Sequence, residues 1–197
     1  MKKTRNILLC GVGGQGIRFA AEILSSALFR AGFDVKQSDV YGMAQRGGPV
    51  VSHIRYGVKV YSPLIESGST DICASFELFE SLRHLHYFKK DTKVIVNTQK
   101  ILPASVTAGI EAYPEDILEQ LKRRGLAIFP VDAFDIAKSN GETRASNLVI
   151  IGALSVFLRA DEKIFLDVMK KKIPEKILNV NKEAFLKGRE LTQKTVQ

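Results

Sequence analysis

Residues 6–17 read NILLCGVGGQGI, and no other stretch constrains the fold as strongly. An apolar run of strand length ends in glycines. Apolar residues then recur at helical spacing (Phe19, Ile23, Leu24, Ala27, Leu28) until Gly32 closes the pattern. This is a strand, a glycine turn and a helix. Gly11, Gly13 and Gly16 stand at G-x-G-x-x-G spacing, with Gly14 and Gln15 between them. Glycines let main chain approach a ligand, and the start of the following helix favours an anion. The same glycines also serve a tight turn and close helix–strand packing without any ligand. Asp39, 23 residues beyond Gly16, has the spacing of the acidic ribose partner in a dinucleotide fold.

Downstream, FDVKQSD reads as a second strand. VVSHIRYG then alternates, with Val51, His53 and Arg55 on one face and Ser52, Ile54 and Tyr56 on the other, unlike a buried parallel strand. DICASF and KVIVNT are short apolar strands on either side of ELFESLRHLHYFKKD, which reads as a helix with Leu78, Leu82 and Leu85 along one side. PEDILEQLKRRG is a helix between Pro114 and Gly125, and LAIFPVD is a strand after it. Beyond residue 140 the pattern is helical, through RASNLVIIGALSVFLRA, DEKIFLDVMKKK and PEKILNVNKEAFLKGRELTQ. Strands alternating with helices predict an α/β fold with a mostly parallel central sheet, a Rossmann-like opening and a helical C-terminus. With 197 residues and no break in composition, one domain over 1–197 is expected.

A second motif, Gln45-Arg46-Gly47-Gly48, precedes the alternating strand. Its arginine offers a planar fork for carboxylate or phosphate, its glutamine donates and accepts, and its glycines free the main chain. That makes it a candidate recognition loop, with Arg55 as a second positive group nearby; a solvated turn is the plain alternative. The net charge of +8 is concentrated early, with nine Lys/Arg against three Asp/Glu in residues 1–60. Such an excess suits phosphates, an acidic partner, a membrane surface or nucleic acid, or serves solubility alone.

Other chemistry finds little support. Cys10 and Cys73 are far apart and outside any CxxC spacing, so this chain alone offers neither a zinc site nor an iron–sulfur cluster. His53, His84 and His86 lack metal-ligand spacing and are expected to be structural, and no serine or cysteine has an evident base for nucleophilic catalysis. Lys122-Arg123-Arg124 and Lys170-Lys171-Lys172 fall at helix ends, where cations complement the dipole. The N-terminal apolar run is too short for a secretion signal, and no stretch reaches the roughly 20 apolar residues of a membrane span, so a cytoplasmic protein is expected.

Taken in order, GVGGQGI, AQRGGPVVSHIR, SNLVIIGAL and NKEAFLKG resemble the gamma domain of 2-oxoacid:ferredoxin oxidoreductases, most nearly its indolepyruvate branch, over essentially the whole chain. The resemblance implies CoA-dependent oxidative decarboxylation of an aryl 2-oxoacid to an acyl-CoA, with ferredoxin taking the electrons. It places thiamine diphosphate, magnesium and 4Fe–4S clusters on a large alpha subunit, with none bound by this chain alone and coenzyme A as co-substrate. It also implies that Gly11, Gly13, Gly14, Gln15, Gly16, Gln45, Arg46, Gly47, Gly48 and Arg55 contact a cofactor or the partner, and that no residue of this chain is catalytic. A pyruvate or branched-chain gamma subunit and a stand-alone dinucleotide-binding oxidoreductase are the alternatives. A nucleic-acid module lacks a platform of stacking aromatics, Trp being absent altogether, and neither nucleic acid nor membrane is expected as a partner.

Overall fold

The computed structural model describes residues 4–41, 48–102, 104–110 and 112–196. Its centre is a six-stranded sheet in the order β2-β3-β1-β4-β5-β6. The strands are β1 (Arg5–Val12), β2 (Asp34–Tyr41), β3 (Pro49–Gly57), β4 (Thr70–Ser75), β5 (Phe88–Asn97) and β6 (Ala127–Val131). β1, β4, β5 and β6 pair in parallel, whereas β3 lies antiparallel to both β1 and β2. β3 alone is therefore reversed. Its alternation had marked it as no buried parallel strand, and it is an interior antiparallel one. Its polar positions are covered by the segment that follows it: His53 Nδ1 accepts from Ile65 N (3.2 Å), and the ring packs edge-on against Tyr87.

β1 carries an unbroken apolar run because both of its faces are covered. Ile7 and Leu9 enter a large core beneath α1 (Ile17–Arg30), α5 (Ala133–Ser139), α6 (Ser146–Ser155), α7 (Glu162–Lys172) and α8 (Glu175–Val196). Leu8 and Cys10 enter a smaller core on the opposite face, closed by Ile117 and Leu121 of α4 (Ile117–Arg123). Two short helices, α2 (Glu80–Arg83) and α3 (Ala104–Thr107), lie in connections. Pro130 is tolerated because β6 forms the sheet edge.

The long helix expected over residues 77–91 does not form. Only α2 and a 3-10 turn at Leu85–Tyr87 appear before β5 begins at Phe88. Strand pairing overrides the helical spacing of the leucines: Thr92 Oγ1 donates to Thr70 O (2.8 Å) and accepts from Lys89 N (2.9 Å), fixing a bend in which Asp91 has φ 67°. α5 was not foreseen from sequence; its signal is Asp132, whose carboxylate accepts from Asp135 N at 3.2 Å as a side-chain cap.

α6 is buried all round, as its continuous apolar composition requires. It crosses α8 at backbone contact. A Cβ on Gly152 would fall 1.9 Å from the carbonyl oxygen of Phe185, and one on Gly188 would fall 2.0 Å from that of Val149. Each helix thus reserves a glycine for a carbonyl of the other.

Candidate functional site at the glycine turn

The glycines at the end of β1 and in the turn after it are required for different reasons. A Cβ on Gly11 would meet Gln15 Oε1 at 2.7 Å and the Phe76 side chain at 2.8 Å, so close packing excludes one. Gly14 faces open space but has φ +105°, and Gly16 has φ +74°. Gly16 is also crowded, because Asn147 Nδ2 stands 2.4 Å from the Cβ position.

Gln15 braces the turn from within. Its Oε1 accepts from Val12 N (2.8 Å) and its Nε2 donates to Phe76 O (2.7 Å) at the end of β4. Asn97 Nδ2 donates to the same carbonyl at 2.9 Å. The Gln15 side chain is thus committed to the scaffold, its backbone N–H donates to Val12 O at 3.2 Å, and Gly14 is the exposed residue of the turn. Gly16, the N-cap of α1, supplies no side-chain cap, so the leading N–H groups of a 14-residue helix open at the turn.

The two sequence motifs meet here. Gly13 N donates to Gly48 O at 2.9 Å, directly beyond the Val12–Pro49 pair of the β1–β3 ladder. Gln45, Arg46 and Gly47 lie outside the described residues. Arg55 pairs with Asn6, six residues along β3 from Pro49, which is roughly 20 Å at strand rise. Its guanidinium is spent on Asn6 Oδ1 (3.0 Å) and on the carbonyls of Ser62 (3.0 Å) and Leu64 (3.2 Å). The expectation of a second positive group beside the motif is corrected accordingly: Arg55 organises the β3–β4 connection.

A cleft of about 530 Å³ opens on the turn at the carboxyl ends of the strands. Val12–Gly16 form one wall, Gln99, Ile101 and Phe134 a second, and Thr143, Arg144, Ser146 and Asn147 a third. The third wall was missed from sequence; its signal was the Ser-Asn pair opening an otherwise apolar helix. Arg144 stands at the exposed rim in a bidentate pair with Glu142 (3.0 and 2.9 Å). That side-chain contact, with the Arg144 backbone N–H, holds the Glu142 carboxyl down to about 2. Asn147 is almost fully enclosed, and its Oδ1 has no partner among the described residues.

Asp39 does not reach this cleft. It pairs with Ser52, which pairs with Leu9, so the inserted β3 separates Asp39 from β1 by two strand spacings, roughly 10 Å. Gln37 Nε2 donates to its carboxylate at 3.1 and 3.2 Å. The ribose-binding geometry of a dinucleotide fold, with β2 beside β1, is absent among the described residues.

Beneath the turn, the Cys10 and Cys73 sulfurs lie 3.8 Å apart and fully buried, and burial pushes the Cys73 thiol well up. Among the described residues, no group of three or more His, Cys, Asp or Glu side chains is arranged to hold a metal ion, and no helix is long and apolar enough to cross a membrane.

The model of the family described as pyruvate ferredoxin/flavodoxin oxidoreductase matches residues 6–191. The chain belongs to this family. Within it, the chain is 43% identical over 151 residues to the indolepyruvate oxidoreductase subunit IorB of Archaeoglobus fulgidus, covering 76% of this chain and 75% of that protein. It is 38% identical over 194 residues to the subunit of the same name from Thermococcus kodakarensis, covering 94% and 95%. The gamma subunit of a keto/oxoacid ferredoxin oxidoreductase from Geobacter sulfurreducens shares the fold, with TM-score 0.73 at 20% identity over 96% of this chain and 99% of that one. The chain also matches, at TM-score 0.79 and 25% identity, a 2-oxoglutarate:ferredoxin oxidoreductase from Magnetococcus marinus solved with 2-oxoglutarate, coenzyme A and succinyl-CoA bound. That match covers 98% of this chain and 32% of the other.

Proposed function

We propose that this chain is the small, IorB-type subunit of an indolepyruvate:ferredoxin oxidoreductase, and that its glycine-turn cleft receives coenzyme A against a larger, cofactor-bearing subunit. The observation that carries the reading is the Gly13–Gly48 hydrogen bond, which joins both motifs at the uncapped start of α1. An exposed, glycine-rich main chain at a helix start suits a diphosphate. The IorB subunits, at 32–43% identity, favour the indolepyruvate branch. The common gamma subunit of pyruvate/ketoisovalerate oxidoreductases from Pyrococcus abyssi stands at 30%.

In this reading the complex oxidatively decarboxylates an aryl 2-oxoacid, passes two electrons to ferredoxin and releases an acyl-CoA. The donor sets for thiamine diphosphate, magnesium and 4Fe–4S clusters belong to the large subunit; the two buried cysteines of this chain do not fit a cluster. Thiamine diphosphate supplies the stabilised carbanion, and the clusters carry the electrons. This chain's residues bind and enclose: the turn presents main-chain donors, Gln15 keeps it rigid, Arg144 adds charge at the rim, and Arg46, supported by Gln45, engages a carboxylate of the large subunit or a coenzyme A phosphate. No residue here is assigned a catalytic role.

The test mixes this chain with its candidate large subunit, thiamine diphosphate, magnesium and coenzyme A without oxygen, and follows ferredoxin or viologen reduction over a panel of 2-oxoacids. Activity confined to the mixture and greatest with aryl substrates supports the assignment. Full activity from the large subunit alone, with no complex formed, overturns it.

A further inference from the structure

α1 ends in Phe29-Arg30 and α7 in Lys170-Lys171-Lys172, and the fold brings the two ends together beside β2. A groove of about 450 Å³ opens between the three elements. Phe29, Val35 and Val168 give it an apolar lining, and Arg30, Lys171 and Lys172 stand along it. Phe29 is 70% exposed. Arg30 closes the 14-residue α1, roughly 20 Å from Gly16 at helical rise, so this face shares no residue with the glycine-turn cleft.

Charge says what could cover it. Arg30 and Lys171 make no ion pair among the described residues, and Lys172 reaches only Glu22, at 3.9 Å. The two helix ends offset roughly one of these three charges, since each carries about half a negative charge. Positive charge is therefore left over beside an apolar lining. A second copy of this chain would meet that charge with its own, because a two-fold contact sets like patches together.

The neighbouring strand says in what form. β2 lies at a sheet edge and pairs only with β3. The opposite edge strand, β6, has five residues and is blunted by Pro130, whereas β2 has eight and no proline, with Val40 50% exposed. The carboxylates of β2 are engaged within the chain, Asp34 by Lys36 and by Val60 N, Asp39 by Gln37 Nε2. An open edge accepts a further strand, whose alternate side chains then fall on the groove side. A source of that strand is implied by chain length: the match to the Magnetococcus marinus enzyme covers 98% of this chain but 32% of that one, so there the counterpart of this chain is joined to further polypeptide.

We infer that β2 and its groove dock an extended, acidic segment of the large subunit. The segment adds a strand to β2, seats an apolar side chain against Phe29, Val35 and Val168, and pairs its carboxylates with Arg30 and Lys171. The inference rests on the two-subunit reading above and gives that assembly a second attachment face.

The experiment uses the full chain with its candidate large subunit. Phe29, being exposed, is replaced by the photo-crosslinker p-benzoylphenylalanine, and the cross-linked peptide is sequenced by mass spectrometry. Subunit affinity is measured for wild type and the double variant Arg30→Glu/Lys171→Glu at about 0.05 and 0.5 M salt, with melting of the small subunit recorded alongside. The expected results are a cross-link to an acidic stretch of the large subunit and, in the double variant, affinity at least about tenfold weaker at low salt, the gap narrowing at high salt. A cross-link to a second small subunit overturns the inference, as does the absence of any cross-link in an active complex. Wild-type affinity in the double variant overturns it too, and so does a loss that only tracks a lowered melting temperature. An active complex indifferent to these residues leaves the substrate assignment standing without this inference. A complex that forms through them yet is inert toward indolepyruvate does the reverse, and no complex at all removes both.

Discussion

Asn147 occupies the space that a side chain on Gly16 would need. Gly16→Ala therefore meets two penalties, a left-handed backbone and a collision, whereas Gly14→Ala, with φ +105° and nothing within 4 Å, meets only the first. Strain of this kind costs about 1–3 kcal/mol. Gly16→Ala should be the more destabilising of the two, and Asn147→Ala should restore part of its loss, with a coupling of about 0.5–3 kcal/mol in a double-mutant cycle. Denaturant melts of the four proteins measure this, and additivity would mean that the two residues are independent.

The crossing of α6 and α8 should be intolerant of a single methyl group. In Gly188→Ala the new Cβ meets the main-chain oxygen of Val149, which no rotamer change relieves. A loss of about 3 kcal/mol is expected, at the upper end for overpacking. Leu191→Ala, on an exposed position of the same helix, should stay within about 0.5 kcal/mol. Equal melting of the two variants would show that the helices separate easily.

Arg55 should behave as a fastener for the chain after β3. Arg55→Ala leaves the carbonyls of Ser62 and Leu64 without their donor and should cost about 1–3 kcal/mol, with faster proteolysis between residues 58 and 69. Coenzyme A affinity should not move. A raised KM for coenzyme A at unchanged stability would instead place Arg55 in the binding surface.

Two histidines give stability opposite pH dependences. Burial disfavours charge on His84, but Glu80, 3.4 Å away, and the neighbouring Cys10 together outweigh it and raise the pKa above its ordinary value. That contribution is complete below about pH 6.5 and is lost as pH rises through the folded value. His53 is held below its ordinary value by burial and by the positive charge of His84, so its contribution is present above about pH 6.5 and lost as pH falls. His84→Gln should therefore destabilise more at pH 6 than at pH 8, as read by urea midpoints across that range. A difference constant with pH would exclude the Glu80–His84 ion pair as its source.

The opening strand, turn and helix were legible because local rules fix them: an apolar run, glycines and a stripe of Ile23, Leu24, Ala27 and Leu28 all point the same way. The sheet order was less so. Nothing local says that β3 enters between β1 and β2, yet that insertion removes Asp39 from the site and brings Gly48 to Gly13. The helix expected at 77–91 failed for a similar reason, since Phe88 pairs with Thr70 through contacts that spacing does not encode. In the cleft, the glycines were readable because they obey backbone rules. Asn147 and Arg144 belong to a wall assembled from more than 120 residues further along the chain.

The reversed strand also sets an order of assembly. β1, α1 and β2 leave the ribosome before β3, yet β1 and β2 share no rung of the sheet, because the place between them belongs to a strand not yet made. Residues 5–41 can collapse around α1 but cannot close their side of the sheet. Only when the chain has grown through Gly57 does β3 zip against both neighbours, pairing Tyr41 with Val50 and Val12 with Pro49 in one event. The feet of the segment bearing Gln45 and Arg46 are thus fastened last in this half of the molecule, and the cooperativity that stabilises the sheet also decides when Gly48 reaches Gly13.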